Sequence, residues 1–536
     1  MLVKQHSESP HCQFAKRLLL LLSNAGYPTD AESVHQALLR SNPSLRVTPL
    51  SVKNWLSGRT MPRPHSLQAL SLAPGRPDQR QGVCSRRPTL NMMNSEPVAP
   101  VSFREALAFW FKLGFISFGG PAGQIAILHQ ELVERRRWIS EKRFLHALNY
   151  CMVLPGPEAQ QLVTYIGWLM HRSWGGMVAG SLFVLPSLLM LIGLSWVYVA
   201  WGTLPWVAGL FAGIKPAVAA IVLQAAHRIG SRTLRNAALL WVALLSFLAT
   251  SVAQIPFPWV VLCAAGAGWA LARWRPQDVR VAASHAGALS PQHAPAWIDD
   301  HTPTPAHALF SLRGLARVLC WGAVLWLVPM AWLVMAWGWD HTLAQMGWFF
   351  TKAAWLTFGG AYAVLPYVVQ GAVDQYAWLT APQMMDGLAL GESTPGPLIM
   401  VVAFVGFLGG VTKEVLGPDT LVASGALAAC VVTWFTFLPS FVLILAGGPW
   451  IESTHGQLKF TAPLTAITAA VVGVVLNLAL FFLAHVGWPE GMAGRVDVPS
   501  LLLFAAATVA LLHFKRSVLE VIAVCAALGW ARVGFF

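Results

Sequence analysis

From residue 102 onward, apolar runs of roughly the length a bilayer core requires alternate with short polar or basic stretches, and several runs are interrupted by glycine and proline. Ser102 to Leu128 is broken at Gly119-Gly120-Pro121, and Phe144 to Met170 at Pro155-Gly156-Pro157. Uninterrupted spans are predicted near Gly175–Ala200, Leu204–Ala226, Leu239–Val252, Phe257–Ala272 and Val318–Trp337. A proline or paired glycines inside an apolar run interrupts the helix, and the freed backbone groups then need protein or water partners. The pattern predicts about nine to thirteen membrane segments, some of them broken or re-entrant.

The pattern occurs twice. Lys112, Phe118-Gly119-Gly120, Trp138 and Pro155-Gly156-Pro157 return 240 positions later as Lys352, Phe358-Gly359-Gly360, Trp378 and Pro395-Gly396-Pro397. After a short insertion the offset becomes 253, pairing Pro186-Ser187 with Pro439-Ser440 and Ala217-Val218 with Ala470-Val471. Such fixed spacing indicates an internal duplication. The expected organisation is a polar extension at 1–98, a first repeat at 99–278, a linker at 279–310 and a second repeat at 311–536.

Charge distinguishes the two copies. The loop Val133–Arg143 carries Arg135, Arg136, Arg137, Lys142 and Arg143, whereas its counterpart Val373–Gln383 has neither Lys nor Arg. Arg228, Arg232 and Arg235 face a counterpart at Phe481–Pro489 that has none. Because positive loops stay cytoplasmic, equivalent loops are expected on opposite sides, which makes the repeats inverted, a design recurrent in secondary transporters. The fold class expected is therefore an all-α polytopic membrane protein of two homologous, inverted repeats with broken or re-entrant helices.

Composition agrees. Of the 536 residues 56% are hydrophobic and 11% charged, against roughly a quarter charged in soluble domains. The net charge of +13 resides largely in loops and in the first 90 residues, so it does not point to nucleic acid for the membrane part. Seven scattered cysteines without a Cys-x-x-Cys pair suggest neither a metal site nor a disulfide framework. Ser51 to Thr60 resembles the recognition helix of a small helix-turn-helix regulator. The composition of the first 98 residues fits better with a membrane protein that begins at Met92 or Met93 behind an upstream extension of the reading frame.

Phe118-Gly119-Gly120-Pro121, the Arg135–Trp138 run, Asn149-Tyr150 and Leu154 to Gln160 resemble the signature half of the chromate ion transporter family. Phe358 to Tyr362 and Gly391 to Pro397 resemble its second half. The resemblance runs from Ser102 to the C-terminus and corresponds to the long, two-domain form. It implies a multi-pass protein of the inner (plasma) membrane that exports chromate from the cytoplasm, driven by membrane potential or a proton gradient, and so confers chromate resistance.

The residues themselves suggest how an oxyanion could be held. Unpaired N–H groups at helix N-termini attract anions, proline suits a first helical turn, and glycine admits close backbone approach. Pro157 and Pro397 are therefore expected to start half-helices. The candidate substrate-binding set is Lys112, Gly119, Gly120, Pro155, Gly156, Pro157, Lys352, Gly359, Gly360, Pro395, Gly396 and Pro397. Glu158 and Glu392 are candidates for proton coupling, or helix caps. The lysines could equally snorkel to the interface, and the glycines could serve close helix packing. Gln124, Asn149, Tyr150 and Gln160 read as interhelical glue, and the repeat-equivalent pair His146 and Asp386 is weaker still. No catalytic residue, cofactor or metal is expected. The expected partners are chromate or a related oxyanion such as sulfate and the lipid bilayer, with a homodimer left open. A membrane-embedded enzyme is disfavoured by the lack of His-Glu-x-x-His, Gly-x-Ser-x-Gly and nucleotide motifs.

Overall fold

The structure, a computed structural model, describes residues 52–53, 100–118, 120–274, 296–300, 302–303, 305–454, 461–491 and 493–535. It divides into two compact units, Met1–Asn94 and Ser95–Phe536. In the first, the described Val52 and Lys53 are helical, and the rest of the recognition-helix candidate lies outside the described residues.

The second unit is helical, and its first repeat contains α1 (Phe103–Ile116), α2 (Gly120–His129), a π-helical turn (Gln130–Arg135), α3 (Glu141–Val153), α4 (Glu158–Trp201), α5 (Pro205–Thr233), α6 (Ala237–Ser251) and α7 (Phe257–Trp274). α8 (Leu312–Trp337) opens the stretch 311–536, ahead of the duplicated landmarks of the second repeat. There α9 (Thr342–Leu356), α10 (Ala361–Val369), a π-helical turn (Gln370–Gln375) and α11 (Ala381–Ser393) follow. A 3-10 turn (Leu398–Met400) leads into α12 (Val401–Thr412), and then come α13 (Leu421–Thr454), α14 (Thr461–Gly487), α15 (Val498–Leu512) and α16 (Val518–Phe535). Among the described residues five segments are long and apolar enough to cross a bilayer: Glu158–Trp201, Pro205–Thr233, Leu312–Trp337, Pro418–Glu452 and Pro463–Gly487. This is an all-α polytopic membrane protein.

The duplication extends to backbone detail. The two π-helical turns fall 240 positions apart, and each is followed by a non-glycine residue with positive φ, Arg137 (53°) and Ala377 (47°). The amides of Trp138 and Trp378 close equivalent turns on the carbonyls of Leu132 and Ala372, each at 2.8 Å. The loss of charge between the copies has a packing explanation. In the first repeat the Arg136 guanidinium covers the Trp138 ring at 5.1 Å and the Phe109 ring at 4.7 Å. In the second, Tyr376 stacks on Trp378 at 4.7 Å and meets Phe349 edge-on at 5.7 Å. A cation–π platform has become an aromatic stack on the same scaffold.

α4 is two helices. His171 and Arg172 leave helical geometry, with Arg172 at φ 59° and ψ −163°, and the same point in the second repeat is the break between α12 and α13. Glu158 to Met170 and Leu398 to Thr412 are thus matched half-helices of about 20 Å, too short to cross a bilayer core of about 30 Å. The extra residues after Thr412 account for the change of offset from 240 to 253.

Two expectations need correction. Arg228 and Arg232 belong to α5, which runs on to Thr233, and Phe481 to Gly487 belong to α14, so neither stretch is a loop. Arg232, in the last turn of this apolar helix, can place its cationic head at the interface without unwinding it. Pro157 and Pro397 are N-cap residues rather than first-turn residues. Within the linker, Ile298 bridges in parallel to Ile139 and is buried, and Ser140 Oγ donates to Asp300 at 2.6 Å.

The repeats exchange partners. α5 of the first packs against α15 and α16 of the second, while α14, the counterpart of α5, packs against α6 and α7 of the first. Gly213 and Gly529 let α5 and α16 touch backbone to backbone, and Gly473 does the same for α14 against Ala243 of α6. In lipid such small-residue crossings replace the hydrophobic effect as the source of helix association.

Candidate functional site

Each break is built from residues that only one backbone geometry permits. Gly120, Gly359 and Gly360 have φ of 67°, 79° and 98°, and Gly156 and Gly396 have φ of 130° and 114°. Side-chain-bearing residues avoid this region, so glycine is required to turn the chain there. Just before the Phe-Gly-Gly segments, Ser117 and Thr357 bend their hydroxyls back to Leu113 and Ala353, each at 2.7 Å. Their own carbonyls are left to point elsewhere.

Those carbonyls meet the opposite repeat. The Gly156 amide donates to the Thr357 carbonyl at 2.8 Å, and the Gly396 amide donates to the Ser117 carbonyl at 2.8 Å. The Pro-Gly-Pro turn of each half is therefore hydrogen-bonded to the Phe-Gly-Gly approach of the other. Gln124 reinforces one of these junctions, its Nε2 donating to the Gly396 carbonyl and, at 3.4 Å, to that of Ser117. Gln161 Nε2 donates to the Pro155 carbonyl at 2.7 Å. All four broken segments thus share one crossing.

Two serines that the sequence pairs at the 253 offset face this crossing. Ser440 Oγ lies where a Cβ on Gly156 would stand, and Ser187 packs against Gly396 in the same way. Both are buried to 1% exposure, and the Oγ of each lacks a hydrogen-bond partner. A buried unpartnered hydroxyl costs stability unless something completes it. A pair of them beside two glycine turns is a ready donor set for an oxyanion.

Charge gathers on one side of the crossing. Tyr362, one position beyond Ala361 in the Phe-Gly-Gly motif of the second repeat, donates its hydroxyl proton to Glu392 Oε1. The Arg228 guanidinium stands 5.6 Å from the Tyr362 ring centroid, within Coulombic reach of both Glu158 and Glu392. Glu158, in the first turn of α4, directs Oε1 toward Gly360, 3.8 Å from where a Cβ would be. A second polar cluster lies farther along α5 and α11: Lys215 Nζ is 3.8 Å from Asp386 Oδ2, which also accepts from the Tyr198 hydroxyl at 2.9 Å. Asp386 is buried, and its Oδ1 is unpartnered.

Of the sequence-derived set, Gly120, Pro155, Gly156, Pro157, Gly359, Gly360, Pro395, Gly396 and Pro397 lie on the four segments that meet, with Glu158 and Glu392 beside them. Gly119 lies outside the described residues. Lys112 is exposed on α1, and the Lys352 ammonium lies 5.8 Å from the Trp348 ring. Sequence reasoning missed Ser117, Thr357, Ser187, Ser440, Arg228, Tyr362, Lys215 and Asp386 as site or near-site residues. The Pro-Ser repeat was visible as a landmark but carried no chemical signal of its own. Arg228 was taken for a loop charge. Tyr150 and Gln160 behave as structural glue, Tyr150 donating to the Leu443 carbonyl at 3.0 Å and Gln160 Nε2 donating to Thr164 at 3.0 Å.

Paired half-helices meeting between duplicated repeats, with irregular backbone buried at the meeting point, define a membrane transporter rather than an enzyme. Residues 104–269 and 344–530 match the family model described as Chromate transporter, the two segments starting 240 positions apart as the repeats do. The chain belongs to the chromate transporter family. It is 30% identical over 434 residues to a chromate transport protein of Cupriavidus metallidurans, covering 80% of this chain and 93% of that one. To a chromate transport protein of Pseudomonas aeruginosa it is 33% identical over 436 residues, covering 81% and 92%. A probable chromate transport protein of Synechococcus elongatus is 27% identical over 402 residues, covering 75% and 88%. No solved structure matches the chain.

Proposed function

We propose that this protein carries chromate out of the cytoplasm across the inner (plasma) membrane, driven by the membrane potential or a proton gradient, and thereby confers chromate resistance. The observation that carries this reading is the reciprocal pair of hydrogen bonds, Gly156 to Thr357 and Gly396 to Ser117, which joins four broken segments inside a member of the chromate transporter family. A dianion within a bilayer needs donors without loss of the surrounding apolar packing. Half-helix N-termini at Glu158 and Leu398, the glycine turns, and the unpartnered hydroxyls of Ser187 and Ser440 can supply them. Protons are handled by Glu158 and Glu392. The repeats are inverted in the membrane, supported by the basic Arg135–Arg137 turn and its uncharged counterpart.

Sulfate has the charge and shape of chromate, and the same donors would hold it, so a broader oxyanion carrier is the competing reading. Everted membrane vesicles containing the protein separate the two. Energised uptake of labelled chromate that an uncoupler abolishes and modest sulfate excess does not reduce is the expected result. Strong sulfate competition would make the protein a general oxyanion carrier, and absence of energised uptake would overturn export.

A further inference from the structure

At the end of the half-helix Glu158 to Met170 that lies away from the crossing, the chain reverses on two residues. His171 has φ −134° and ψ 35°, and Arg172 has φ 59° and ψ −163°. The second pair of angles is one that residues with a side chain rarely adopt, and it persists only where the surroundings impose it. Here they do. Gly167 and Gly175 face each other across the reversal so closely that a Cβ on either would meet the other's carbonyl oxygen, at 2.6 and 2.2 Å. His171 Nε2 donates to the Val101 carbonyl at 3.0 Å, and its ring meets Phe103 edge-on at 5.5 Å. From the linker, His307 Nε2 donates at 3.1 Å to the carbonyl of Trp168, in the last turn of the half-helix. Arg172 is thus presented on a rigid tip.

Beside this tip opens a cleft of about 780 Å³. Its apolar wall comes from Phe103, Met170, Trp174 and Val178, with Arg172 and the two histidines beside them. Trp174 is 72% exposed and Phe103 44%. Arg172 is also exposed, and it has no ion pair among the described residues. Glu105, two residues beyond Phe103 on α1, pairs with Arg136 at 3.8 Å. That pair places the cleft on the face of the basic Arg135–Arg137 turn, the face that retention of positive charge assigns to the cytoplasm.

We propose that this cleft binds an anionic phospholipid of the cytoplasmic leaflet, with the lipid phosphate on Arg172 and its glycerol and upper acyl chains against Phe103, Trp174 and Val178. Charge complementarity selects the headgroup, because an unpaired guanidinium beside an apolar wall suits a phosphate ester with hydrocarbon attached. A free inorganic anion would use the cation and leave the wall bare. A zwitterionic lipid would bring its own ammonium to compete with Arg172. Trp174 has the exposure of an interfacial anchor, at the depth where glycerol and headgroup lie. The site is separate from the crossing, since the half-helix between them is about 20 Å long.

The duplication supplies a second argument. At the 240 offset, Phe103, His171 and Arg172 become Leu343, Val411 and Thr412. The second repeat therefore keeps the chain reversal and lacks both the cation and the aromatic rings. With the repeats inverted, the cleft exists only on the side where anionic headgroups meet the basic face of the protein.

The test uses the delipidated full-length chain in detergent, titrated with phosphatidylglycerol, phosphatidylcholine or inorganic phosphate, and reads the thermal unfolding midpoint and lipid retention by native mass spectrometry. Phosphatidylglycerol is expected to raise the midpoint and to remain bound where phosphatidylcholine does not. Arg172→Gln should weaken phosphatidylglycerol binding roughly five-fold, the weight of one basic residue at an anionic surface. Arg313→Gln, which removes an exposed arginine at the start of α8, should leave it unchanged. Arg172→Gly relieves the backbone while removing the charge, so it should be at least as stable as wild type without lipid and lose the same share of the lipid response. Wild-type phosphatidylglycerol affinity in Arg172→Gly would overturn the proposal, as would equal binding of phosphatidylcholine. Displacement of the lipid by millimolar phosphate would reassign Arg172 to a free-anion site and overturn it as well.

Discussion

Ser187 of the first repeat lies against Gly396 of the second so closely that a Cβ on the glycine would fall 2.6 Å from the serine Cβ. The mirror contact, Ser440 against Gly156, is as tight, with a Cβ meeting the serine Oγ. Both glycines also have φ values that side-chain-bearing residues avoid. Gly156→Ala and Gly396→Ala should therefore each abolish transport, the methyl adding overlap to a backbone strain of about 1–2 kcal/mol. Labelled chromate uptake, normalised to protein in the membrane, reads the loss. Uptake within two-fold of wild type, roughly 0.4 kcal/mol, would show that the crossing is not the transport site.

Ser187→Ala and Ser440→Ala separate chemistry from packing at the same place. Each removes a buried hydroxyl that has no partner in the resting protein, so stability should hold or rise slightly. If the hydroxyls bind the oxyanion, the KM for chromate should rise roughly ten-fold per serine, the weight of one hydrogen bond to a charged group. Unchanged KM in S187A/S440A would assign the serines to packing.

Much of this arrangement was legible in the chain, and the limits have physical causes. The duplication, the glycine breaks and the proline turns were visible because backbone geometry restricts residue identity tightly: Gly156 and Gly396, with φ of 130° and 114°, could hardly be anything else. The cross-pairing of Gly156 with Thr357 was not, since a main-chain hydrogen bond leaves no mark on side-chain type. Arg228 was misjudged because an arginine near the end of an apolar run looks the same whether it snorkels to headgroups or lies against a tyrosine ring in Coulombic reach of two carboxylates. Asp386 was passed over because its partner Lys215 lies 171 positions away and its repeat equivalent is a histidine.

Lys112 and Lys352 were the sequence's own choice of countercharge, and their placement supports a different role. Lys112 is exposed, and the Lys352 ammonium lies near the face of Trp348, the arrangement of an interfacial anchor. Lys112→Ala, Lys352→Ala and the double variant are expected to keep transport within about two-fold of wild type, since interfacial anchors contribute to positioning rather than to substrate contact. Loss of uptake in either single variant, with normal insertion, would return the lysines to the oxyanion path.

Asp497 gives a pH-dependent check on the packing of the last two helices. It caps α15, accepting from the Ser500 amide at 3.2 Å and hydroxyl at 2.7 Å, and pairs with Arg532 of α16 at 3.2 Å. Burial opposes its ionisation, but the Ser500 hydrogen bonds and the Arg532 charge outweigh it and leave the carboxyl below its usual range. A depressed folded-state value means the stabilisation is fully present above the unfolded value, about 3.9, and is lost as pH falls through the folded one. Asp497→Asn keeps a capping side chain but removes the ion pair with Arg532, so it should lower thermal stability near pH 7 by about 0.5 kcal/mol. The difference should narrow below about pH 4, and a gap independent of pH would refute the ionised cap.

The inversion of the repeats can be read from two equivalent positions. Arg135 and Gln375 end the matched π-helical turns, 240 positions apart, and both are exposed. Retention of positive loops in the cytoplasm puts the Arg135 turn inside, and inversion puts Gln375 outside. With the seven native cysteines replaced, Gln375→Cys should react with a membrane-impermeant maleimide in intact cells, and Arg135→Cys only after the membrane is opened. Charge alone does not force this outcome, because Arg136 also packs on Trp138 and Phe109, a contact that accounts for its position without reference to topology. Labelling of both cysteines from one side would mean that the repeats run parallel. The half-helices at Glu158 and Leu398 would then enter the crossing from the same face, and their N-termini could not approach an oxyanion from opposite sides of the membrane.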